Sequence, residues 1–305
     1  MLSLFREPAL SETGRDQADG LRRMFRRPPT PVIAFAGGRS GSGATRVACA
    51  FAQGLAARGV SVSLVDEHRG EAGAAALLNA QGRFDLWQVI NGDALMMQAV
   101  VRAGAGLRVV PAARLAQQRD GLRAEQQVQF DQCWGAVCDG GEVVVIDALV
   151  GTGGRLSPLA AKAGSLVVVT AVDSAAVMGA YLALKQIVLS HPRLALSLVI
   201  NRARDAGQAA AVADNMRALM LDQLGRQLQC YSWLPRIPAW RRGGAGQAAM
   251  QGPVADLEAL LALLPDELRF RSRGDEGLTN PNLPGGRPAN PGRCSPCCAA
   301  TVTRE

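Results

Sequence analysis

A glycine-rich run in the first sixth of the chain has the composition and spacing of a phosphate-binding loop. Glycines let backbone N–H groups approach an anion, and the helix that follows adds the positive end of its dipole. The spacing from Gly38 to Gly43 fits the pattern G-x-x-x-x-G-K-[ST]. Ala44 stands at its lysine position and Thr45 at its hydroxyl position. The dinucleotide pattern G-x-G-x-x-G fails, because Arg46 stands where its last glycine belongs. A glycine-rich turn without a ligand is the alternative, since the lysine is missing.

The basic residues of the chain are almost all arginines. Lysine and arginine total 33 and the acidic residues total 26, which gives a formal net charge of +7. The lysines are Lys162 and Lys185, so chemistry that requires a lysine in the first half of the chain is excluded. A small positive excess spread along the chain does not identify a nucleic-acid or membrane partner.

Short apolar runs alternate with alanine- and leucine-rich stretches of helical periodicity. This alternation predicts an α/β fold with a doubly wound, mainly parallel sheet flanked by helices. Ligands of such sheets bind beyond the carboxyl ends of the strands, where the glycine-rich run lies. The predicted strands are residues 32–36, 60–65, 107–110, 142–147, 165–170, 195–200 and 229–234, and the clearest predicted helices are residues 46–58, 174–189 and 206–225.

Composition divides the chain into three parts. Residues 1–30 are a charged segment with a proline-rich linker, and residues 31–270 are the predicted P-loop domain. Residues 271–305 are rich in glycine and proline, and we expect a disordered tail there. The cysteines of this tail (Cys294, Cys297 and Cys298) do not favour a metal site, because a tetrahedral site needs about four ligands. The charged N-terminus and the lack of a long apolar run predict a cytoplasmic protein.

The glycine-rich run resembles the deviant P-loop of the MinD/ParA family of ATPases, K-G-G-x-G-K-[ST]-[ST]. In that family the first lysine reaches across a dimer interface to the partner's nucleotide, and the second grips the phosphates. Arg39 stands at the first lysine position, whereas Ala44 replaces the second lysine and removes its charge. The resemblance implies a nucleotide-binding loop that consists of Gly38, Arg39, Ser40, Gly41, Ser42, Gly43, Ala44, Thr45 and Arg46.

Two further strand ends resemble the switch segments of the same family. Asp66 and His68 lie in the D-x-D-x-G segment, where His68 replaces the aspartate that helps to place the attacking water and magnesium. Asp147 ends a hydrophobic run, and the resemblance implies that Asp147 and Thr45 hold Mg²⁺ when nucleotide binds. Ordinary capping of the following turns is the alternative role of both aspartates.

Asn201 and Pro235 lie where the MinD/ParA family has its base-binding asparagine and proline. The resemblance therefore adds both residues to the nucleotide site. An asparagine at a strand end is also a common turn residue, so a structural role is its alternative.

An amphipathic stretch precedes the proline-rich linker. Its pattern Asp-Gln-Ala-x-x-Leu-Arg, before a MinD-like domain, resembles the N-terminal activator helix of the FlhG/FleN family of flagellar number regulators. In that family the helix binds the GTPase FlhF and stimulates its hydrolysis, and Gln17 matches the activating glutamine. A frayed end packed on its own domain is the alternative. The implied partner-binding residues are Asp16, Gln17, Ala18, Leu21 and Arg22.

The resemblance implies a regulator of flagellar number or placement, with weakened binding of ATP and Mg²⁺ and slow or lost ATP hydrolysis. Its implied partners are an FlhF-type GTPase, flagellar switch proteins or a flagellar transcription regulator, and a second copy of the chain in a nucleotide-dependent homodimer. One alternative is an active ATP-dependent switch of the partition or cell-division kind. Another is a DNA-binding partition protein, which would need a clustered basic surface.

Residues 254–264 form an amphipathic stretch where the MinD/ParA family often has a membrane-anchoring helix. Its charged side chains are acidic, whereas interfacial helices usually carry lysine or arginine. We therefore expect this stretch to pack on the core. Peripheral contact with the inner face of the membrane has only weak support.

Overall fold

The computed structural model describes residues 29–118, 121–229 and 231–235, together with Leu260. All of them belong to one compact unit of the chain. The predicted activator residues between positions 16 and 22, the predicted tail and Cys230 lie outside the described residues. The domain boundaries drawn from composition therefore stay predictions.

Eight β-strands form one sheet in the part of the chain that the structure describes. They are β1 (Val32–Gly37), β2 (Val62–Asp66), β3 (Val101–Gly104), β4 (Leu107–Pro111), β5 (Val143–Asp147), β6 (Ser165–Ala171), β7 (Ala195–Ala203) and β8 (Tyr231–Pro235). Their order is β3-β4-β2-β5-β1-β6-β7-β8. All neighbours are parallel except β3 and β4, which pair antiparallel. The carboxyl end of β1, where the glycine-rich run begins, is therefore central in the sheet.

Seven α-helices connect these strands within the described residues. They are α1 (Ala44–Ala57), α2 (Ala74–Leu77), α3 (Leu86–Ile90), α4 (Met96–Ala99), α5 (Ala124–Asp139), α6 (Ser174–Ser190) and α7 (Ala206–Leu224). Short 3₁₀ turns follow β2, β4 and β5. The longer helices cross between parallel strands, as a doubly wound sheet requires.

The predicted doubly wound, mainly parallel sheet is confirmed. The seven predicted strands and three predicted helices all form, with ends that differ by at most three residues. Strand β3 was missed by sequence analysis. It has four residues at a sheet edge, and only alternate side chains are partly covered, so its apolar signal is weak.

Apolar side chains pack against both faces of the sheet in two clusters. Helices α5, α6 and α7 cover one cluster, and α1 covers the other. Strand β5 is buried along its whole length, and its run of valine and isoleucine suits a strand covered on both faces. Leu260 is 2% exposed and belongs to the α1 cluster. The other residues of the 254–264 stretch lie outside the described residues, so its packing on the core stays a prediction.

Helix α1 packs against β1 and so fixes the glycine-rich run that joins them. The rings of Phe35 on β1 and Phe51 on α1 have centroids 5.2 Å apart, and both side chains are fully buried. Burial of a side chain of this size contributes about 1.5–3 kcal/mol to stability. The loop is therefore positioned by rigid elements on both sides.

None of the described helices combines the length and the apolar composition that crossing a membrane requires. The described cysteines, Cys49, Cys133 and Cys138, are free thiols. Burial raises the pKa of the Cys49 thiol far above its ordinary value, and the carboxylates of Asp147 and Asp66 raise it further. Cys49 is thus a protonated side chain of the core.

Candidate functional site

The glycine-rich run joins β1 to α1 in a conformation that suits phosphate binding. Gly41 and Gly43 have φ angles of 82° and 91°, in the left-handed region that glycine adopts without strain. Gly43 is the N-cap of α1, and no side chain caps this helix. A glycine N-cap leaves this helix end, whose dipole favours an anion, open to a ligand.

Helix α6 supports the loop from one side. Gly38 lies so close to the backbone of Ala180 that a Cβ atom at residue 38 would overlap with it. A Cβ atom at Gly179 would lie 3.1 Å from the carbonyl oxygen of Gly38. The N–H of Gly38 also donates to the carbonyl of Val169 on β6, at 3.2 Å. Packing therefore requires glycine at residue 38, whatever the loop binds.

Asn201, near the end of β7, contacts the loop from another side. Its Nδ2 donates to the carbonyl oxygen of Ser42 at 2.8 Å, and the absence of a Cβ atom at Gly43 leaves room for this amide. Asn201 thus holds the predicted nucleotide loop through a bond to a residue 159 positions away in the chain, which differs from the local turn role considered for it above. Pro235 is exposed at the end of β8, in register with Ala203 of β7.

The side chains of the loop differ in exposure. Arg39 and Ser40 are exposed at the tip, and the aliphatic stem of Arg39 packs near Gly179 of α6. Arg46 is exposed on the first turn of α1. Ala44, at the lysine position of the motif, is 8% exposed, so the site where a lysine would reach the phosphates carries only a small methyl group.

Asp147 is a buried carboxylate whose two oxygens have no hydrogen-bond partner of good geometry among the described residues. It ends β5 in register with Phe35 of β1 and Asp66 of β2, and it is 0% exposed. Burial raises the pKa of Asp147 well above its ordinary value, the charge of Asp66 raises it further, and the nearby hydroxyl of Thr45 opposes the shift. Such a carboxylate is costly unless a proton or cation neutralises it.

Asp66 has a different role from Asp147. Its Oδ1 accepts the N–H of His68 at 2.9 Å, and its Oδ2 accepts the N–H of Ala75 at 2.8 Å. A Cβ atom at Gly73 would lie 2.6 Å from Oδ2, so the chain passes close to this carboxylate. Asp66 therefore caps the first turn of α2, which is the alternative that sequence analysis left open for it.

His68 lies between the two aspartates. Its Nε2 is 3.6 Å from Oδ1 of Asp147, and its side chain is 25% exposed. Burial lowers the pKa of His68, while the charge of Asp66 and a hydrogen bond to the backbone of Ala148 partly offset the effect. The imidazole is therefore mainly neutral near pH 7. Position 68 thus lacks the negative charge with which an aspartate would orient a water or magnesium.

The arrangement fits Mg²⁺ bound together with nucleotide phosphates. Mg²⁺ usually takes about one or two carboxylate or hydroxyl oxygens from the protein, with phosphate and water oxygens completing the shell. The unpartnered oxygens of Asp147 and the nearby hydroxyl of Thr45 provide such ligands. Within the residues that the structure describes, no three His, Cys, Asp or Glu side chains form an independent metal site. The site therefore suits nucleotide with magnesium better than a resident metal ion.

Glu67 is a buried site residue that sequence analysis missed. It is 1% exposed, and its Oε2 accepts the N–H of Leu149 at 2.9 Å. Its Oε1 accepts a hydrogen bond from the hydroxyl of Ser157. A charged residue just after a strand is usually solvated, and Ser157 is 90 residues away, so no local signal marked this contact.

The structure brings the glycine-rich run together with residues from the ends of β2, β5 and β7. Asn201 contacts the loop at Ser42, and Asp147 lies near the hydroxyl of Thr45. His68 lies beside Asp147, with 3.6 Å between its Nε2 and Oδ1 of Asp147. Pro235 lies at the end of the neighbouring strand β8. The activator residues between positions 16 and 22 lie outside the described part of the chain.

One curated relative matches part of this chain. The chain is 27% identical to the antiactivator FleN of Pseudomonas aeruginosa over 183 residues. The match covers 60% of this chain and 65% of FleN, so it spans somewhat less than two thirds of the relative. No family model matches the chain.

Solved structures share the fold at low sequence identity. The cell division ATPase MinD of Pyrococcus furiosus matches with a TM-score of 0.52 at 17% identity, over 77% of this chain and 100% of its own. Cobyrinic acid a,c-diamide synthase of Mycobacterium smegmatis, with a bound ATP analogue and magnesium, matches with a TM-score of 0.54 at 19% identity, over 76% of this chain and 94% of its own. The chain thus has the MinD/ParA-like P-loop fold, and the predicted resemblance to FleN is confirmed.

Proposed function

We propose that this protein is a FleN-like regulator of flagellar number and placement that binds and stimulates an FlhF-type GTPase through the segment around Gln17. In this proposal its own P-loop site binds ATP and Mg²⁺ weakly and hydrolyses ATP slowly or not at all. The observation that carries the proposal is a fully formed P-loop in which Ala44 occupies the lysine position, in a chain similar to FleN.

The composition of the site supports loss of hydrolysis. Phosphoryl transfer depends on positioned positive charge and on a held water, and loss of one such group costs about 100-fold or more in rate. Ala44 removes one charge, and His68 is mainly neutral where the family has a carboxylate. The loss of both the lysine and the carboxylate from one site therefore favours a protein that acts through its partners and not through its own ATP hydrolysis.

Features that support weak nucleotide binding are retained. The uncapped start of α1, the loop glycines and the unpartnered oxygens of Asp147 remain suited to phosphate and magnesium. Arg39 could provide charge at the signature position, since its side chain is exposed at the loop tip. ATP and Mg²⁺ are thus proposed ligands with weakened affinity.

The proposed partners follow from the similarity to FleN. FleN is described as an antiactivator, which supports a flagellar transcription regulator among the partners. Flagellar switch proteins are further proposed partners, and the proposed role places the protein in the cytoplasm. The Asp-Gln-Ala-x-x-Leu-Arg pattern supports the GTPase as the partner of the N-terminal segment.

The test is the GTP hydrolysis rate of the FlhF-type GTPase from the same flagellar system, measured with and without the full chain. We expect the full chain to raise this rate by about 10-fold or more, because a glutamine supplied in trans can orient the attacking water. Gln17→Ala should lose most of the stimulation. Gln227→Ala, an exposed glutamine in the described domain, is the matched control and should retain it. Equal stimulation by the two variants, or none by the full chain, would contradict the proposal.

A second candidate function is an ATP-dependent monomer–dimer switch of the partition or cell-division kind. The observation that favours it is the pair of Asp147 and Thr45, which still offers oxygens for magnesium. Analytical ultracentrifugation with ATP and Mg²⁺ distinguishes the two functions. Dimerisation that requires ATP, together with steady phosphate release, would favour the switch.

A further inference from the structure

Glu67 connects the end of β2 to the segment that follows β5. We call residues 148–157 the post-β5 segment. The carboxylate of Glu67 accepts the N–H of Leu149 at the start of this segment and the hydroxyl of Ser157 at its end. The N–H of Glu67 donates to the carbonyl of Asp147 at 3.2 Å. One buried residue thus holds both ends of the segment against β2.

The contact at Ser157 is part of a larger network. Ser157 is 0% exposed, and its hydroxyl oxygen accepts the N–H of Ala160 at 2.9 Å while its proton is donated to Glu67. The hydroxyl of Ser157 therefore uses its proton in one hydrogen bond and a lone pair of its oxygen in another. Hydrogen bonds to a buried carboxylate are stronger than those between neutral groups, so this anchor is not easily exchanged for water.

The middle of the post-β5 segment is held by its own contacts. The N–H of Gly151 donates to the carbonyl of Arg155 at 2.9 Å, and the N–H of Gly154 donates to the carbonyl of Gly151 at 3.1 Å. Gly154 also packs directly on the backbone of α6 at Gln186. The N–H of Ala148 donates to the carbonyl of Phe35 on β1 at 2.8 Å.

These contacts limit what the segment can offer to a nucleotide. Backbone N–H groups at residues 148, 149, 151 and 154 already donate within the protein. A phosphate bound beside Thr45 could recruit them only if these bonds broke, and the bond of Leu149 to the charged Glu67 is the strongest obstacle. A ligand shifts a segment only through contacts that differ between two states.

We propose that Glu67 is a positioning residue that holds the post-β5 segment in one conformation and uncouples it from occupancy of the P-loop. This inference rests on the proposed function, since uncoupling has a meaning only if the P-loop takes nucleotide. The segment and the face of α6 beneath it then present the same surface whether or not ATP is bound.

The first test is hydrogen exchange of the full chain, followed by mass spectrometry of peptides that cover residues 148–157. Glu67→Ala should speed exchange in these peptides by about 10-fold or more, because local opening no longer breaks a bond to a buried charge. Ser157→Ala keeps the carboxylate and removes one anchor, so it should give a smaller increase and serves if Glu67→Ala folds poorly. Glu67→Gln, which retains an acceptor oxygen, should restore part of the protection.

Glu142→Ala is the matched control. Glu142 accepts the N–H of Ser61 at 3.0 Å and its hydroxyl at 3.3 Å, at the opposite end of β5. Its loss removes a similar pair of bonds and should leave exchange at residues 148–157 unchanged. If Glu67→Ala and Ser157→Ala both exchange like the parent chain, or if Glu142→Ala opens the segment equally, the proposal is overturned.

The second test adds a non-hydrolysable ATP analogue with magnesium. In the parent chain we expect protection of peptides from the loop at residues 38–47 and no change at residues 148–157. In Glu67→Ala the nucleotide should alter exchange at both places. Nucleotide-dependent protection of residues 148–157 in the parent chain would overturn the proposal. If the loop peptides show no protection in any variant, proposed nucleotide binding fails, while the first test still decides the role of Glu67.

Discussion

The side-chain amide of Asn201 donates a hydrogen bond to the carbonyl of Ser42 across 2.8 Å, and this bond ties the end of β7 to the glycine-rich loop. The two residues are 159 positions apart in the chain. Gly43 leaves room for the amide, because a side chain there would overlap with it. The loop conformation thus depends on a residue near the end of β7.

The Asn201→Ala substitution should weaken both folding and ligand binding. Loss of a part-buried hydrogen bond of this kind costs about 0.5–1.5 kcal/mol of unfolding free energy, which urea denaturation measures. Because the loop loses an anchor, we also expect affinity for a fluorescent ATP analogue to fall by several-fold. Asn215→Ala, an exposed asparagine on α7, is the control. Equal affinities for the two variants would argue against an anchoring role.

Gly38→Ala tests the packing of the loop on α6. A Cβ atom at residue 38 would overlap with the backbone of Ala180, so the loop must move away from the helix. Overpacking of this kind costs about 1–3 kcal/mol. Gly135→Ala in α5, where a Cβ atom meets open space, should be neutral or slightly stabilising. A thermal unfolding midpoint that is unchanged in Gly38→Ala would show that the close packing is absent.

Asp147→Asn should stabilise the protein at neutral pH when a chelator removes divalent cations. Burial raises the pKa of Asp147, so the folded state holds its proton more tightly than the unfolded state. Stability of the parent chain therefore falls as pH rises from the ordinary carboxyl pKa, about 4, through the raised value. The variant cannot ionise and should escape this loss, with a gain of about 1–3 kcal/mol near pH 7.

Urea unfolding at a series of pH values checks the Asp147 prediction. The difference between Asp147→Asn and the parent chain should vanish near the acidic end and reach a plateau above the raised pKa. Asp205→Asn is the control and should change stability in the opposite direction. Hydrogen bonds from the backbone of Gln208 and from Arg204 lower the pKa of Asp205, so its ionised form stabilises the fold and the variant should lose stability as pH rises. A constant difference across the whole range would mean that Asp147 is not the titrating group.

Ala44→Lys should restore affinity for nucleotide. The loop already has the required backbone shape, and a lysine at the start of α1 adds a charge-assisted hydrogen bond to phosphate. Such a bond contributes about 1.5–3 kcal/mol, or about 10- to 140-fold in affinity. Titration with a fluorescent ATP analogue measures it. Arg58→Lys, at the C-cap of the same helix, should bind as the parent chain does.

The strands and the loop could be predicted because their signals are local. Runs of valine and isoleucine such as those of β5 mark strands covered on both faces, and the glycine spacing marks the loop. Prolines and glycines mark where elements end, which kept the predicted ends within a few residues. These signals depend on residues that are neighbours in the sequence, so the amino-acid sequence alone contains them.

The contacts that complete the site depend on residues far apart in the chain. The bonds of Glu67 to Leu149 and Ser157, and the bond of Asn201 to Ser42, are set by the order of strands in the sheet. The different roles of Asp66 and Asp147 were also hidden, because both simply end a strand. Burial and hydrogen-bond geometry distinguish them, and neither is encoded in local spacing.

The most direct measurement of the central claim is ATP hydrolysis by the full chain beside its Ala44→Lys/His68→Asp double variant. Steady-state phosphate release is followed with saturating ATP and Mg²⁺. We predict turnover close to background for the parent chain and a rate at least about 100-fold above the parent's rate or detection limit for the double variant, since both missing groups are restored. Steady hydrolysis by the parent chain, at a rate that the double substitution does not raise, would contradict the account.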